Sequence, residues 1–280
     1  DFSTIVAVSG MNLIVFDFSK NKLKVNVCLE KYVKAFKNLC IHKRADGGLV
    51  IAFKDDVNLY IVKYSQEGNM TISTYRREQI STDQIVGFLK DGDWIVLNSE
   101  GEYHKDDKSY KCKTVDAYAL AASLEFKGGC RHFSTSSHWA GVPASASGKD
   151  LVISSGSNDV VVCDFSGDKM QMRTIEKLFN QWGRLSTYAL HLSSDERSFW
   201  AISGDTRLVG FNLENWVTEY VVNMPCELAM FKASPNNDRL LLSLNSDGRK
   251  TVTEGRRYGT MMRVGLFRNA SDYFPSLLTS

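Results

Sequence analysis

The segment that decides the fold is SGKDLVISSGSNDVVVCDFSGDK, residues 147–169. It contains two short apolar runs, Leu151–Ile153 and Val160–Cys163, and each run is bounded by Gly, Ser, Asn and Asp residues. β-Branched residues favour extended backbone, whereas the small polar residues favour tight turns. The segment therefore predicts two adjacent strands joined by a hairpin turn at Gly156–Asp159.

The same order of strand, polar turn and strand recurs along the whole chain. We place a turn at Asn98–Gly101 in the third unit, and a strand at His138–Val142 followed by a turn at Ser145–Gly148 in the fourth. The long third interval contains Asp116–Phe126, which fits either a helix or an outer strand. Successive turns of the same kind lie 45, 44, 59, 47 and 41 residues apart, and they contain Gly10, Asp55, Ser99, Asn158, Asp205 and Ser246.

Except for the third interval, these spacings match the length of a four-stranded repeat. A small sheet exposes an apolar face on each side, and radial stacking of several sheets buries those faces and protects the strand edges. We therefore expect an all-β fold, a β-propeller of six or seven four-stranded blades, in a single domain over residues 1–280. The first unit lacks its innermost strand and the chain begins at Asp1, so it can be a piece of a longer protein.

The fourth unit resembles the end of a WD repeat. Cys163-Asp164 stands where that family has Trp-Asp, and His132 lies 27 residues before Asp159, near the position of the family's Gly-His pair. Phe16-Asp17 and Phe211-Asn212 resemble two further Trp-Asp sites. No unit keeps the complete His, Asp, Ser/Thr and Trp set, so the resemblance implies a divergent WD-repeat β-propeller.

Composition indicates the cellular compartment of the protein. The net charge is only +2, and the six cysteines are scattered without a Cys-x-x-Cys pair. This pattern favours an intracellular protein, nuclear or cytoplasmic, with reduced thiols. The chain has no uninterrupted run of about 18 apolar residues, so we expect no contact with a membrane. Sequons at Asn69 and Asn269 leave a secreted ligand-binding propeller open as an alternative.

No residue pattern predicts catalysis. Cys130, His132 and His138 are spaced loosely like metal ligands, but no second ligand pair accompanies them. Asp55-Asp56 fits a hairpin turn, and Cys163 lies within an apolar strand, which is a poor environment for a thiolate. We therefore expect no enzyme activity, no bound metal and no cofactor. An enzyme that uses the central channel of a propeller remains the alternative from another class.

The predicted function is a non-catalytic protein-interaction scaffold within a multisubunit complex. Its partners are one or more protein subunits. Loops on a rigid framework concentrate binding residues. We accordingly expect the partner-binding residues in and beside the second-turn loops, at Asn158, Asp159, Asp205, Arg207 and Asp247.

A narrower alternative concerns RNA. Ile85–Tyr103 and Ser203–Asn212 resemble blades of the WD-repeat, non-catalytic subunit of tRNA (guanine-N7) methyltransferase. That resemblance implies a catalytic partner that carries the cofactor, and tRNA held partly by this chain. Arginine forks suit phosphate groups, and the candidate RNA-binding group is rich in arginine: Arg249, Lys250, Arg256, Arg257, Arg263 and Arg268.

Overall fold

The fold is taken from a computed structural model of the chain. It describes residues 4–9, 11–17, 20–30, 37–76, 84–105, 108–133, 143–155, 160–175, 185–203, 207–223, 228–233, 239–245 and 262–268.

The chain divides into two compact units, and the first contains Asp1–Arg131 together with Gly148–Asp150. Its strands form three antiparallel sheets in which each strand pairs with the next along the chain. Sheet 1 contains β1 (Thr4–Ser9), β2 (Asn12–Asp17) and β3 (Lys22–Cys28). Sheet 2 contains β4 (Lys37–Lys43), β5 (Leu49–Lys54), β6 (Asn58–Tyr64) and β7 (Met70–Arg76). Sheet 3 contains β8 (Gln84–Leu89), β9 (Trp94–Lys105), β10 (Lys108–Leu120) and β11 (Leu124–Phe133).

The second unit contains His132–Ser147 and Leu151–Ser280. It repeats the same meander three times. Sheet 4 contains β12 (Ala144–Ala146), β13 (Leu151–Ser155), β14 (Val160–Asp164) and β15 (Gln171–Ile175). Sheet 5 contains β16 (Leu185–Leu192), β17 (Ser198–Ser203), β18 (Arg207–Asn212) and β19 (Thr218–Asn223). Sheet 6 contains β20 (Leu228–Ala233), β21 (Arg239–Asn245) and β22 (Met262–Arg268).

Sheets within a unit stack face to face, and β5 shows how. Successive residues of a strand point to opposite faces of its sheet. Leu49, Ile51 and Phe53 enter one core together with residues of sheet 1. Val50 and Ala52 enter a second core together with residues of sheet 3. All five side chains are buried, so sheet 2 is covered on both faces.

The second unit uses the same packing between sheets 4 and 5. Val160 and Val162 of β14 share a core with Phe199 of β17 and Phe211 of β18. The rings of Phe199 and Phe211 stack with their centroids 4.6 Å apart. Strands buried in this way appear in a sequence as continuous apolar runs rather than alternating ones. This explains why the sequence shows short blocks of Val, Ile, Leu and Phe between polar turns.

One predicted turn in the third unit is wrong. Asn98–Gly101 lies inside β9, which continues to Lys105 and pairs with β10 along its whole length. Turn-forming residue types are tolerated there because the strand is tightly packed. Asn98 and Ser99 are buried, and a side chain added at Gly101 would lie 3.0 Å from the Thr114 side chain.

The long third interval is occupied by strands. Asp116–Phe126 forms the end of β10, a three-residue bend and the beginning of β11, so the outer-strand alternative is correct. In the fourth unit, Ser145 and Ala146 lie in β12 rather than in the predicted turn, while the predicted strand at His138–Val142 lies outside the described residues.

The predicted hairpin turn at Asp55-Asp56 is confirmed. Asp55 forms the hairpin turn between β5 and β6. Its Oδ1 atom accepts hydrogen bonds from the backbone N–H groups of Val57 and Asn58, both at 2.7 Å.

Substitution of Val161 by aspartate tests the register of sheet 4. Val161 is 7% exposed in β14, and its partner across the ladder is Thr174 on the outermost strand β15. An unpaired buried charge costs several kcal/mol, so we expect Val161→Asp to unfold the unit in thermal denaturation. The matched control, Thr174→Asp, places the same charge on an exposed site and should remain folded. Equal stability of the two variants would show that the register is wrong.

Candidate functional site

Most residues predicted to bind partners lie outside the described residues. This applies to Asn158, Asp159, Asp205 and Asp247, and to Arg249, Lys250, Arg256 and Arg257. Arg207 is half-buried at the start of β18, where it pairs with Ser203 and Asn223. The backbones of Arg263 and Arg268 lie in β22, opposite Leu244 and Arg239.

His132, near the end of β11, has a structural role. Its Nε2 atom lies 2.8 Å from the Ser154 hydroxyl, and both side chains are buried. This buried contact holds the His132 ring in place.

A buried polar cluster lies on the outer part of sheet 3, and sequence reasoning missed it. Burial raises the pKa of Asp116, although the Thr114 hydroxyl donates a hydrogen bond to its carboxylate at 2.7 Å. Burial also raises the pKa of the neighbouring Cys112 thiol, which is 3% exposed. A thiol with a raised pKa is a weak nucleophile. Among the described residues, no three His, Cys, Asp or Glu side chains converge as metal ligands.

The turns that follow the first strand of each sheet are locked together in the first unit. The backbone N–H of Ala45, between β4 and β5, donates to both carboxylate oxygens of Asp91, at 3.0 and 3.1 Å. His42 Nε2 lies 3.0 Å from the same carboxylate. Asp91 in turn donates its backbone N–H to the carbonyl of Gly148 at 2.9 Å. Three successive turns are thus joined by hydrogen bonds. We call this set of bonds, centred on Asp91, the Asp91 lock.

This arrangement requires unusual backbone at two positions. Asp91 has φ of 52°, in the left-handed region that residues with a side chain rarely enter. Gly148 has φ of 88°, and a Cβ atom there would lie 2.8 Å from His42 Cε1. Such strain persists only where the surroundings fix it, and here the bonds to the neighbouring turns do so.

The second unit contains a similar lock. Glu196, between β16 and β17, also has a left-handed backbone, with φ of 65°. Its carboxylate accepts hydrogen bonds from the Ser147 hydroxyl at 2.6 Å and from the Leu151 N–H at 2.8 Å. An acidic residue of one turn therefore binds the preceding turn in both units. The sequence marks Asp91 and Glu196 only as ordinary turn residues.

An exposed cation and a half-buried aromatic ring form a pair in the second unit. The Arg173 guanidinium of β15 lies 3.8 Å from the centroid of the Trp216 ring, in the loop between β18 and β19. Trp216 has φ of 62°. Its backbone N–H donates to the Asn212 carbonyl at 3.0 Å, and Asn212 N–H donates to the Val217 carbonyl at 2.9 Å. The loop is closed by these bonds, so the ring is held in place.

Comparisons with known proteins concern the fold. The chain is similar to the β-propeller domain of Myceliophteria thermophila Cps50 (Swd1), with a TM-score of 0.54 and 13% identity over 88% of this chain and 78% of that one. It is also similar to Kluyveromyces lactis Hsv2 with its complete loop 6CD, with a TM-score of 0.57 and 11% identity over 87% and 67% of the two chains. The chain has a β-propeller fold. The sheets described above are its blades.

The sequence comparisons add nothing to this result, because no protein-family model and no curated protein matches the chain. No helix suited to crossing a membrane occurs in the part of the chain that the structure describes.

The Asp91 lock predicts a pH-dependent contribution to stability. Burial alone would raise the pKa of Asp91, but hydrogen bonds from His42 and Ala45 and the charges of His42 and Arg44 outweigh it and lower the pKa. A lowered carboxyl pKa stabilises the folded state above the unfolded-state value of about 4, and the contribution disappears as the pH falls through the folded-state pKa.

Asp91→Asn keeps the preference for left-handed backbone but removes the charge. We expect it to reduce the free energy of unfolding at pH 7 by roughly 0.5 kcal/mol, because the exposed part of this carboxylate is screened by water. The difference from the wild type in urea denaturation should shrink as the pH falls below about 4. Asp168→Asn, in an exposed turn, is the control and should change stability at neither pH. A constant difference at all pH values would contradict the lock.

Proposed function

We propose that the chain is a non-catalytic scaffold that holds protein partners on the turns and outer strands of its blades. One observation carries the proposal: large apolar side chains remain exposed on rigid elements. Val57 in a hairpin turn, Phe126 on β11 and Val217 beside β19 are 54%, 63% and 48% exposed. Turns and outer strands on a rigid framework are where binding residues concentrate.

The residues considered for chemistry support the same interpretation. His132 is bonded to Ser154, and Asp55 is bonded within its own turn. Cys163 is 1% exposed in β14, the strand between β13 and β15. Each of these groups has a structural role. The turns and the outermost strands are therefore the surfaces that can bind partners.

Photo-crosslinking tests the scaffold. A benzophenone amino acid at Val57 or at Phe126 should form a crosslink to a stoichiometric protein partner in extract from the native source. The control position is Glu67, which is exposed in a polar turn of the same unit. We expect discrete crosslinked species from the two apolar positions only. A protein that elutes as a monomer and gives no crosslink above the Glu67 background would contradict the scaffold function.

The narrower form of the proposal is support of a tRNA guanine-N7 methyltransferase. Its basis is the resemblance of Ile85–Tyr103 and Ser203–Asn212 to blades of that family, together with the arginine-rich group near residue 256. In this form the partner is the catalytic subunit, which binds the cofactor.

Neutralising Arg256, Arg257 and Arg263 together with glutamine tests the RNA contact. If these residues touch phosphates, the complex with the catalytic partner should bind RNA of any sequence more weakly. The salt dependence of binding should become shallower by about one unit of slope for each arginine–phosphate pair removed. The measurement is a filter-binding titration at several salt concentrations. Unchanged affinity and slope with the partner still bound would contradict the RNA contact, and failure to bind the partner would indicate a protein interface instead.

A further inference from the structure

In the Arg173–Trp216 pair the cation meets an aromatic ring rather than a carboxylate of the described residues. Among the described residues, no acidic side chain forms an ion pair with Arg173, whose guanidinium lies over the Trp216 ring. By contrast, the exposed Arg197 of the same unit lies 3.6 Å from Glu214. A guanidinium stacked on a ring still presents its N–H donors at its edge. Arg173 can therefore accept an anion without giving up its existing contact.

The pair is also preorganised. The left-handed backbone of Trp216 is held by the hydrogen bonds of its loop, and the ring packs against the core shared by sheets 4 and 5. The ring in turn restricts the Arg173 side chain. Ordering a long side chain normally opposes binding, and here much of that ordering is already present. Left-handed backbone at a bulky residue is a feature that clusters at ligand-binding sites.

Arg173 lies at the centre of an available strand edge. β15 is the outermost strand of sheet 4, and Gln171–Thr174 are all exposed. Met172 on the same strand is 58% exposed and Val217 beside the ring is 48% exposed. An outermost strand offers backbone N–H and C=O groups to an extended chain. In an added antiparallel strand, the residue opposite Arg173 would be its direct cross-strand neighbour, a position that favours the opposite charge.

We propose that the Arg173–Trp216 pair and the edge of β15 form a docking site for an extended acidic segment of a protein partner. A carboxylate of the segment binds Arg173, and its backbone pairs with β15. The proposal rests on the scaffold function and names the chemistry of one partner. The exposed edge of β15 favours a protein over RNA, since only a peptide backbone can pair with a strand edge.

A synthetic peptide tests the site directly. The probe is a fluorescein-labelled heptapeptide of alternating valine and glutamate, and binding to the purified full chain is followed by fluorescence anisotropy. We expect saturable binding that Arg173→Gln weakens at least about fivefold, the scale of one charge-assisted contact at a surface. Trp216→Leu should weaken it about threefold, because the cation loses its ring.

Control variants and control peptides separate the two parts of the site. Arg197→Gln removes a charge from the same blade region and should leave the affinity unchanged. A peptide with glutamine in place of glutamate should bind as weakly to the wild type as the original peptide binds to Arg173→Gln. A peptide with alternate amides N-methylated keeps its carboxylates but cannot add to a strand edge, and it should not bind. If Arg173→Gln lowers the Tm, Arg173→Lys replaces it and should weaken binding because the planar stack on the ring is absent.

The outcomes are distinct. No binding by the wild type, equal binding by Arg173→Gln, or equal weakening by Arg197→Gln would overturn the docking site. Binding of an oligouridylate that depends on Arg173, without peptide binding, would assign the pair to RNA and overturn it as well. Crosslinks from Val57 or Phe126 together with any of these results would leave the scaffold function standing. Absence of all crosslinks with the peptide result as expected would contradict the scaffold function alone.

Discussion

The burial of a sheet on both of its faces is the interaction on which the rest of this structure depends. In β5, Phe53 faces one core and Ala52 faces the next, so a single strand joins three sheets. A lone meander of this size exposes too much apolar surface to be stable in water. Each sheet therefore depends on its neighbours for stability. A substitution in one strand affects the packing of two cores.

This constraint determines where functional variation can occur. Side chains within the middle strands pack in the cores, and polar groups near them form hydrogen bonds that hold the turns. Asp91 and Glu196 are examples, since each acidic side chain bonds the turn of the preceding sheet. The hairpin turns and outermost strands are the parts that can meet other molecules. The Arg173–Trp216 pair lies in this region, where β15 meets the loop that precedes β19.

The repeat pattern was sufficient to predict the fold class because two-sided burial requires apolar blocks between turns. The same logic explains the failure at Asn98–Gly101. Turn-type residues there occupy a long strand, since Gly101 makes room for Cys112 and Thr114 across the ladder. A local sequence pattern does not show which side chains lie across the ladder from a small residue.

The candidate site was less accessible to sequence reasoning. The spacing of His132 to Asp159 marked it as a repeat residue, but its buried contact with Ser154 is visible only in the folded chain. Arg173 and Trp216 were missed because they belong to different blades and only the packing of sheets 4 and 5 brings them together. The Asp91 lock was missed for the same reason: its partners Ala45 and Gly148 come from other turns.

Native-state hydrogen exchange in the first unit tests the two-sided burial most directly. The middle strands of sheet 2 should open only with the whole unit, whereas outermost strands should open locally. We therefore predict that the amide hydrogens of Ile51 and Ile61 exchange with the free energy of global unfolding, and that those of Asn26 in β3 and Ser73 in β7 exchange faster. If Ile51 and Ile61 exchange as fast as Asn26 and Ser73, sheet 2 is not held between two neighbours and the account is wrong.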